Sequence, residues 1–404
     1  MTNFGIKEKV FVFSEKVVSN LQRSSWIRAM FEEGTRLTQI YGEANVFDFS
    51  LGNPYAEPPH EVVQSLKKYI SGDIKGVHRY MSNAGYPEVR TRIAESLQQE
   101  SGIPLSAEHV VMTVGAAGGL NVVLKSILNP QEEVILFAPY FVEYNFYIDN
   151  HGGKVVIVPP DTTSFEPNLA ALKDLITPKT KAIMINTPNN PTGVLYSRET
   201  LEDMARILRQ KEEEFGTCIF VLSDQPYAEI IFDAHKMPSL LSIFDHAIIV
   251  NSFSKSLGLA GERIGFIALS SKIKDVEVLA NALSFCNRTL GFVNAPGLFQ
   301  KVVGDTLQAK VNVEDYQKKR DFFYDNLTRI GFQCIKPQGA FYLFPKALIE
   351  DDIEFVKRAV TYNLLLVPGT GFCCPGYFRI SYCVSMNTIV NSIPAFEKLA
   401  LEFQ

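Results

Sequence analysis

The sequence has little surplus charge of either sign: 39 Lys and Arg against 44 Asp and Glu leave a formal net charge of −5. That balance offers no electrostatic footprint for nucleic acid, and no basic run is long enough to hold an acidic membrane surface. The chain also lacks any uninterrupted apolar stretch near the ~18 residues that a membrane span requires. Its first residues, MTNFGIKEKVFVFSEK, carry charges inside what would be an apolar core, so they do not read as a secretory signal. Cysteine is scarce: Cys218, Cys286, Cys334, Cys373, Cys374 and Cys383 are too few for a disulfide framework and lack the paired spacing of a zinc ribbon. The vicinal pair Cys373–Cys374 has no C-x-x-C geometry and reads as two small residues in a Gly/Pro-rich loop. No metal centre is expected. These absences describe a soluble protein of a reducing compartment, the cytoplasm, with neither nucleic acid nor membrane as partner.

What the chain has is material for a core. With 46% hydrophobic and 21% charged residues over 404 positions, it suits two to three domains, or one large and one small. Short β-rich apolar runs recur at 109–115, 133–139, 154–159, 181–186, 218–224, 246–251 and 263–269, with helical patterns such as Thr200–Gln210 between some of them. Near-continuous apolarity is what strands buried on both faces require. The expected fold is therefore α/β, a large domain with a mostly parallel seven-stranded sheet between helices, plus a smaller α+β domain. The texture changes near Val311, where a charged helix (Tyr316–Ile330), short strands (Ala340–Phe344, Leu364–Val367, Phe378–Cys383) and a closing helix (Met386–Phe403) are expected. The divisions read as an arm at 1–50 joined to the smaller layer, a large ligand-binding domain at 51–310, and a small C-terminal domain at 311–404.

Polar residues and glycines cluster directly after the apolar runs. Gly115-Ala-Ala-Gly-Gly follows the first, Tyr140-Phe141 the second, Asn189-Asn190-Pro-Thr-Gly the fourth, Asp224-Gln-Pro-Tyr227 the fifth and Ser252-Phe-Ser-Lys255 the sixth. In open α/β sheets ligands bind beyond the carboxyl ends of the strands, so these residues define a pocket. Gly115–Ala117, opening a helix over Gly118–Leu128, would present unpaired N–H groups to a phosphate, although a ligand-free tight turn is as common. Ser252 and Ser254 add hydroxyls, and Arg263 adds a fork for phosphate oxygens. Asp224 ends an apolar strand, where a carboxylate is costly unless a cation meets it; the plain alternative is a helix cap. Lys255 is either a core-edge lysine reaching for solvent or an amine desolvated enough to form a Schiff base. Phosphate cradle, anionic partner for a ring nitrogen and amine nucleophile together describe a pyridoxal-phosphate site.

The motifs NNPTG (189–193), SDQPY (223–227) and SFSKSLGLAGERIG (252–265), in this order, resemble those of the class I/II aminotransferases, fold-type I pyridoxal-phosphate enzymes. The resemblance runs from SLGNP (50–54) to FRIS (378–381). It implies pyridoxal 5'-phosphate joined to Lys255, which also shuttles the proton, with Asp224 keeping the pyridine nitrogen protonated. Tyr227 and Asn190 would bond the phenolic oxygen, and Phe141 rather than Tyr140 would stack on the ring. The N–H groups of Ala116 and Ala117, the hydroxyls of Ser252 and Ser254, and Arg263 would hold the phosphate. Tyr80 matches a tyrosine that reaches the partner subunit's phosphate, which implies a homodimer. Arg379 would grip the substrate carboxylate with Gly52 and Asn53. Two positions depart from the pattern: Gln225 replaces a common acidic residue, and GAAGG lacks the hydroxyl that some members place there.

The resemblance implies transfer of an amino group from an amino acid to a 2-oxo acid, with a pyridoxal-phosphate lyase or decarboxylase, such as a carbon–sulfur β-lyase, as the alternative. About fifty residues before SLGNP are too few for a DNA-binding module, and no G-x-G-x-x-G or P-loop accompanies a strand–helix junction. Arg288, in FCNRTLGF, lies where dicarboxylate-specific relatives place a second arginine; a salt bridge is its expected role. His78 and His235 read as solvated surface histidines.

Overall fold

The computed structural model describes residues 14–22, 26–72 and 74–403. Most of the segment read against a secretory signal, residues 1–13, lies outside the described residues, as does part of the 1–50 arm. A two-residue strand, β1 (Phe47–Asp48), precedes the large sheet. The seven apolar runs then become β2 (Val110–Thr113), β3 (Glu133–Phe137), β4 (Lys154–Val158), β5 (Thr180–Asn186), β6 (Phe220–Asp224), β7 (Ala247–Ser252) and β8 (Gly265–Leu269). They form one sheet in the order β2-β8-β7-β6-β5-β3-β4. β3 through β7 pair in parallel, while β8 runs antiparallel to both β7 and β2.

Side chains on these strands alternate between two cores. Val134, Leu136, Ala182, Met184, Leu222 and Ile248 enter one cluster, and their neighbours Ile135, Phe137, Ile183, Val221 and Ile249 enter the other. Burial on both faces explains the lack of polar alternation in the sequence.

Several elements differ from the sequence expectation at their ends, each for a local reason. The run 109–115 surrenders His109 to a short turn capped by Ser106, and Gly115 already belongs to the next helix, Gly115–Ile127. The GAA segment is thus the first helical turn itself, where N–H groups have no intrahelical acceptor. The run 263–269 loses Arg263, whose backbone is left-handed at φ 54°. The helix expected over Thr200–Gln210 extends to Arg198–Phe215, capped by Ser197 and ended by Gly216. In the C-terminal part, the helix Val313–Ile330 is capped by Asn312, and the stretch expected over Ala340–Phe344 shortens to β9 (Tyr342–Leu343). The stretch 364–367 splits into β10 (Leu364–Leu365) and β11 (Val367–Pro368), followed by β12 (Phe378–Ser381). β10 pairs in parallel with β1, whereas β11, β12 and β9 make a separate antiparallel sheet. A third cluster joins Phe49 and Val46 to Phe323, Phe341, Phe355 and Phe396, so the chain before Leu51 packs with its C-terminal end. Among the described residues no helix is long and apolar enough to cross a membrane.

Candidate active site

The carboxyl ends of β5, β6 and β7 open into a cavity of about 300 Å³. Lys255 sits in the one-turn helix Phe253–Ser256 directly after β7; Ser252 caps that helix by accepting the N–H of Ser254 at 3.0 Å. The lysine therefore projects from a backbone fixed at both sides. Its Nζ donates to the carbonyl of Gly52 at 2.5 Å and lies 5.6 Å from the centre of the Phe341 ring. Burial, joined by the positive charges of Arg263 and Arg379, lowers its pKa to about 8. An amine so placed is neutral, and thus nucleophilic, at a pH where a solvated lysine is not.

Asp224 is the last residue of β6 and only 7% exposed. Oδ2 accepts the hydroxyl of Tyr144 at 2.6 Å, while Oδ1 is buried without a partner. Burial raises its pKa to about 6, against the lowering effect of the Tyr144 bond. A buried carboxylate with one free oxygen is costly unless a ligand completes it. Capping does not explain it, because the next residues form a turn and no helix starts there.

The opposite wall carries Arg379, on β12 and 2% exposed. Its Nη1 donates to Asn190 Oδ1 at 3.0 Å and its Nη2 to the carbonyl of Ser50, while Nε has no partner. The guanidinium lies between the rings of Tyr342 and Phe372, 4.8 and 4.9 Å from their centres. Below it, Tyr227 and Tyr342 share a hydroxyl hydrogen bond of 2.8 Å.

At the remaining end, the first turn of Gly115–Ile127 meets Arg263. A Cβ on Gly115, whose φ is +77°, would stand 2.8 Å from Arg263 Nη2, so only glycine lets the guanidinium approach this turn. Arg263 is itself in the left-handed region that non-glycine residues seldom adopt, a local strain that aims its side chain at the helix start. Ala116, Ala117, Ser252 and Ser254 line the same end. N-terminal helix amides, two hydroxyls and a guanidinium form an anion site.

The structure thus brings Gly52, Ala116, Ala117, Phe141, Asn190 and Asp224 into one cavity with Tyr227, Ser252, Ser254, Lys255, Arg263 and Arg379. Tyr140, the less favoured stacker, points away, its hydroxyl held by Asn145 at 3.0 Å. Two expected residues are not on this wall. Asn53 is exposed, and its carbonyl accepts the thiol of Cys383 at 3.2 Å. Tyr80 is 91% exposed beside a separate groove lined by Met81 and Phe292. Arg288 makes no salt bridge among the described residues, contrary to expectation; it lies over the Phe285 ring at 5.4 Å, away from the cavity. His78 and His235 are exposed.

Sequence reading missed Tyr144, Tyr147, Tyr342 and Asn186, all on the wall. Tyr144 left a faint signal, since it lies in the first turn of the helix Glu143–Asn150, three residues after Phe141, whose ring it meets edge-on at 5.6 Å. Tyr342 left none, because GAFYLF reads as plain core.

A strand-end cavity with a depressed lysine, a half-partnered aspartate and an anion-binding helix start belongs to an enzyme of the doubly wound α/β class. The profile of the aminotransferase class I and II family matches residues 44–395, and the chain belongs to that family. The aspartate aminotransferase of Thermotoga maritima is 30% identical over 359 residues, 87% of this chain and 91% of its own length. A probable aspartate/prephenate aminotransferase of Aquifex aeolicus is 32% identical over 378 residues, covering 89% and 91%. The crystal structure of an aminotransferase from Eubacterium rectale superposes with a TM-score of 0.95 at 38% identity, over 98% of this chain and 100% of that one. The fold is that of the fold-type I aminotransferases, and the protein is a transaminase, moving an amino group from an amino acid to a 2-oxo acid.

Proposed function

We propose that this transaminase works with pyridoxal 5'-phosphate held in the cavity below Arg379, and that the residues assembled there divide its binding and its chemistry. The observation that carries this reading is Asp224, buried with Oδ1 unpartnered on the same wall as the amine of Lys255. A protonated ring nitrogen would supply the missing donor, and the anion site at the start of Gly115–Ile127 fits a phosphate. When bound, the cofactor supplies an electron-withdrawing ring that stabilises negative charge developing at the substrate Cα.

Asp224 holds the proton on the ring nitrogen, and the Tyr144 hydroxyl fixes the orientation of its carboxylate. Phe141, on the cavity wall, would cover one face of the ring. Asn190 and Tyr227, whose side chains meet Arg379 and Tyr342, would hold the ring hydroxyl. Ala116, Ala117, Ser252, Ser254 and Arg263 hold the phosphate. Arg379 binds the substrate carboxylate beside Gly52, which places Cα within reach of Lys255 Nζ, the group that removes and returns its proton. Division of the chain into 1–50, 51–310 and 311–404 sets Arg379 on one body and Lys255 and Asp224 on another, so binding the carboxylate draws them together and expels water.

Tyr80, exposed and remote from its own cavity, is suited to completing the phosphate site of a second copy, which makes the working unit a homodimer. Six free cysteines and no disulfide among the described residues accord with a cytoplasmic location.

The test is a transfer assay with amino acid donors and a 2-oxo acid acceptor, run on wild type and Lys255→Ala. Transfer that requires added or retained pyridoxal phosphate and vanishes in the variant is expected. Protein that takes up no pyridoxal phosphate would overturn the cofactor assignment. Release of pyruvate and ammonia in place of transfer would favour the lyase alternative. Sedimentation showing an active monomer would remove Tyr80 from the site.

A further inference from the structure

We propose that Glu212, Cys218 and His246 form a binding site for one zinc-like divalent cation at the end of the large sheet opposite the cavity. The three residues come from separate elements: Glu212 from the last turn of the helix Arg198–Phe215, Cys218 from the link into β6, and His246 from the residue before β7. One ligand atom of each lies within 4.8 Å of the others. Spread over positions 212, 218 and 246, they have no recognisable metal spacing, so the sequence alone shows nothing here.

The trio is held in place by its surroundings. Glu212 Oε1 accepts the N–H of Ile219 at 2.7 Å and faces His246 Nδ1 at 2.8 Å. The carbonyl of His246 accepts the N–H of Val221 at 3.0 Å, and its ring meets Phe220 edge-on. Neighbouring Asp245 is committed elsewhere, to Arg209 and Lys272, so it does not compete for the cation.

Thiolate, imidazole and carboxylate together suit zinc and its borderline neighbours, whereas a thiolate disfavours calcium and magnesium. Deprotonated, the set carries two negative charges, which a dication neutralises. Three protein ligands leave the fourth tetrahedral position to water. Bonds of about 2.0–2.2 Å in a tetrahedral arrangement need roughly 3.3 Å between ligand atoms, so the oxygen and nitrogen must part by about half an ångström. Side chains 16% and 26% exposed, on the rim of the sheet, have room to do so.

The experiment uses the cofactor-loaded protein with Zn²⁺ or Co²⁺ alone as probe. We expect one Zn²⁺ per chain, a Co²⁺–thiolate charge-transfer band, and transaminase activity unchanged by Cys218→Ser or His246→Asn. Each substitution should weaken binding by at least about 100-fold, since even residues behind the ligands commonly change affinity 10–100-fold. A charge-transfer band that survives in Cys218→Ser, or Zn²⁺ binding equal in all three proteins, would overturn the site. Should a variant fail to fold, alkylation of the wild type decides: Zn²⁺ should protect Cys218 from a thiol reagent. Equal labelling with and without the metal would show a hydrogen-bonded trio and no site.

Discussion

Two buried arginines in the C-terminal part of the chain show how differently a guanidinium can be accommodated. Arg320, fully buried in the helix Val313–Ile330, meets Asp233 through two bonds of 2.7 and 2.9 Å and the carbonyl of Pro337 at 2.6 Å. Its charge is cancelled within the protein. Arg379, almost as buried, finds only the neutral oxygens of Asn190 and Ser50, and no carboxylate pairs with it among the described residues. Burying a cation without a counter-ion costs several kcal/mol. The first arginine staples the loop at Asp233 to the helix, and the second is the residue proposed above to meet the substrate carboxylate. Asp224 is its mirror image across the cavity, an acid with one bond where it could make more. Nε of each arginine lacks a hydrogen bond, but Arg320 has the carboxylates of Asp233 and Asp321 beside it, so what separates the two is a counter-charge and not the count of bonds.

The comparison breaks if Arg379 is as structural as Arg320. Arg379→Lys should lower kcat/KM for amino acids by about 10²–10⁴-fold, roughly 3–5 kcal/mol for losing a charge-assisted bidentate pair in a desolvated site. Melting temperature and the absorbance of bound cofactor should hardly change. A fall under tenfold, measured in the transfer assay, would place the carboxylate grip elsewhere.

Asp224 sharpens the contrast through pH. In the cofactor-free protein its carboxyl titrates near pH 6, against 3.8 when solvated. The folded state thus holds a proton that the unfolded state has lost, so stability falls as pH rises from about 4 to 6 and is flat above. The two-unit difference amounts to about 3 kcal/mol. Lys255 acts in its own window: its folded pKa of about 8 lies below the solvated 10.5, so its penalty is full below pH 8 and is relieved as pH rises towards 10.5. Denaturant unfolding of cofactor-free Asp224→Asn should lose the acid-side slope and keep the alkaline one. An unchanged acid-side slope would show that the carboxylate is satisfied as it stands.

How much of this was legible beforehand depends on what kind of signal each residue leaves. Lys255 and Asp224 are conspicuous because a charge at the end of an apolar strand contradicts its surroundings. The sheet itself was legible because strands buried on both faces are written as unbroken apolar runs. Arg379 gave no such contradiction, sitting in a short polar-apolar stretch, and only the family resemblance singled it out. Tyr144 was only faintly legible and Tyr342 not at all, because a tyrosine buried in a core and one whose hydroxyl faces a cavity look the same in one dimension. Glu212, Cys218 and His246 meet only because β6 and β7, neighbours within the sheet, both start at its end opposite the cavity. Asn53 shows the converse case, a motif position that the structure leaves exposed, with its carbonyl accepting the Cys383 thiol.

A smaller effect is expected on the structural side of the comparison. Asp233→Asn removes the anion from Arg320 but keeps a hydrogen-bonding group, and the Asp233 side chain is 40% exposed, so solvent offsets part of the loss. Stability should fall by about 2 kcal/mol in denaturant unfolding, with kcat/KM within about twofold of wild type. Loss of turnover without loss of stability would mean that the loop at Asp233 communicates with the site.

The smallest effect belongs to Arg288, an exposed cation for which neither argument holds. It lies over the exposed ring of Phe285, on the same helix, Val276–Thr289, and such a contact in water is worth about 0.5–1 kcal/mol. Unlike Arg320 it pairs with no carboxylate among the described residues, and unlike Arg379 it does not line the cavity that holds Lys255. Arg288→Ala should therefore change stability by no more than about 1 kcal/mol and kcat/KM for uncharged amino acids by less than about twofold. A dicarboxylic amino acid is the discriminating substrate. If its kcat/KM alone falls more than tenfold in the variant, Arg288 reaches the site of a second copy as Tyr80 is proposed to do. The side-chain carboxylate would then be met by a cation that the isolated chain holds at its surface.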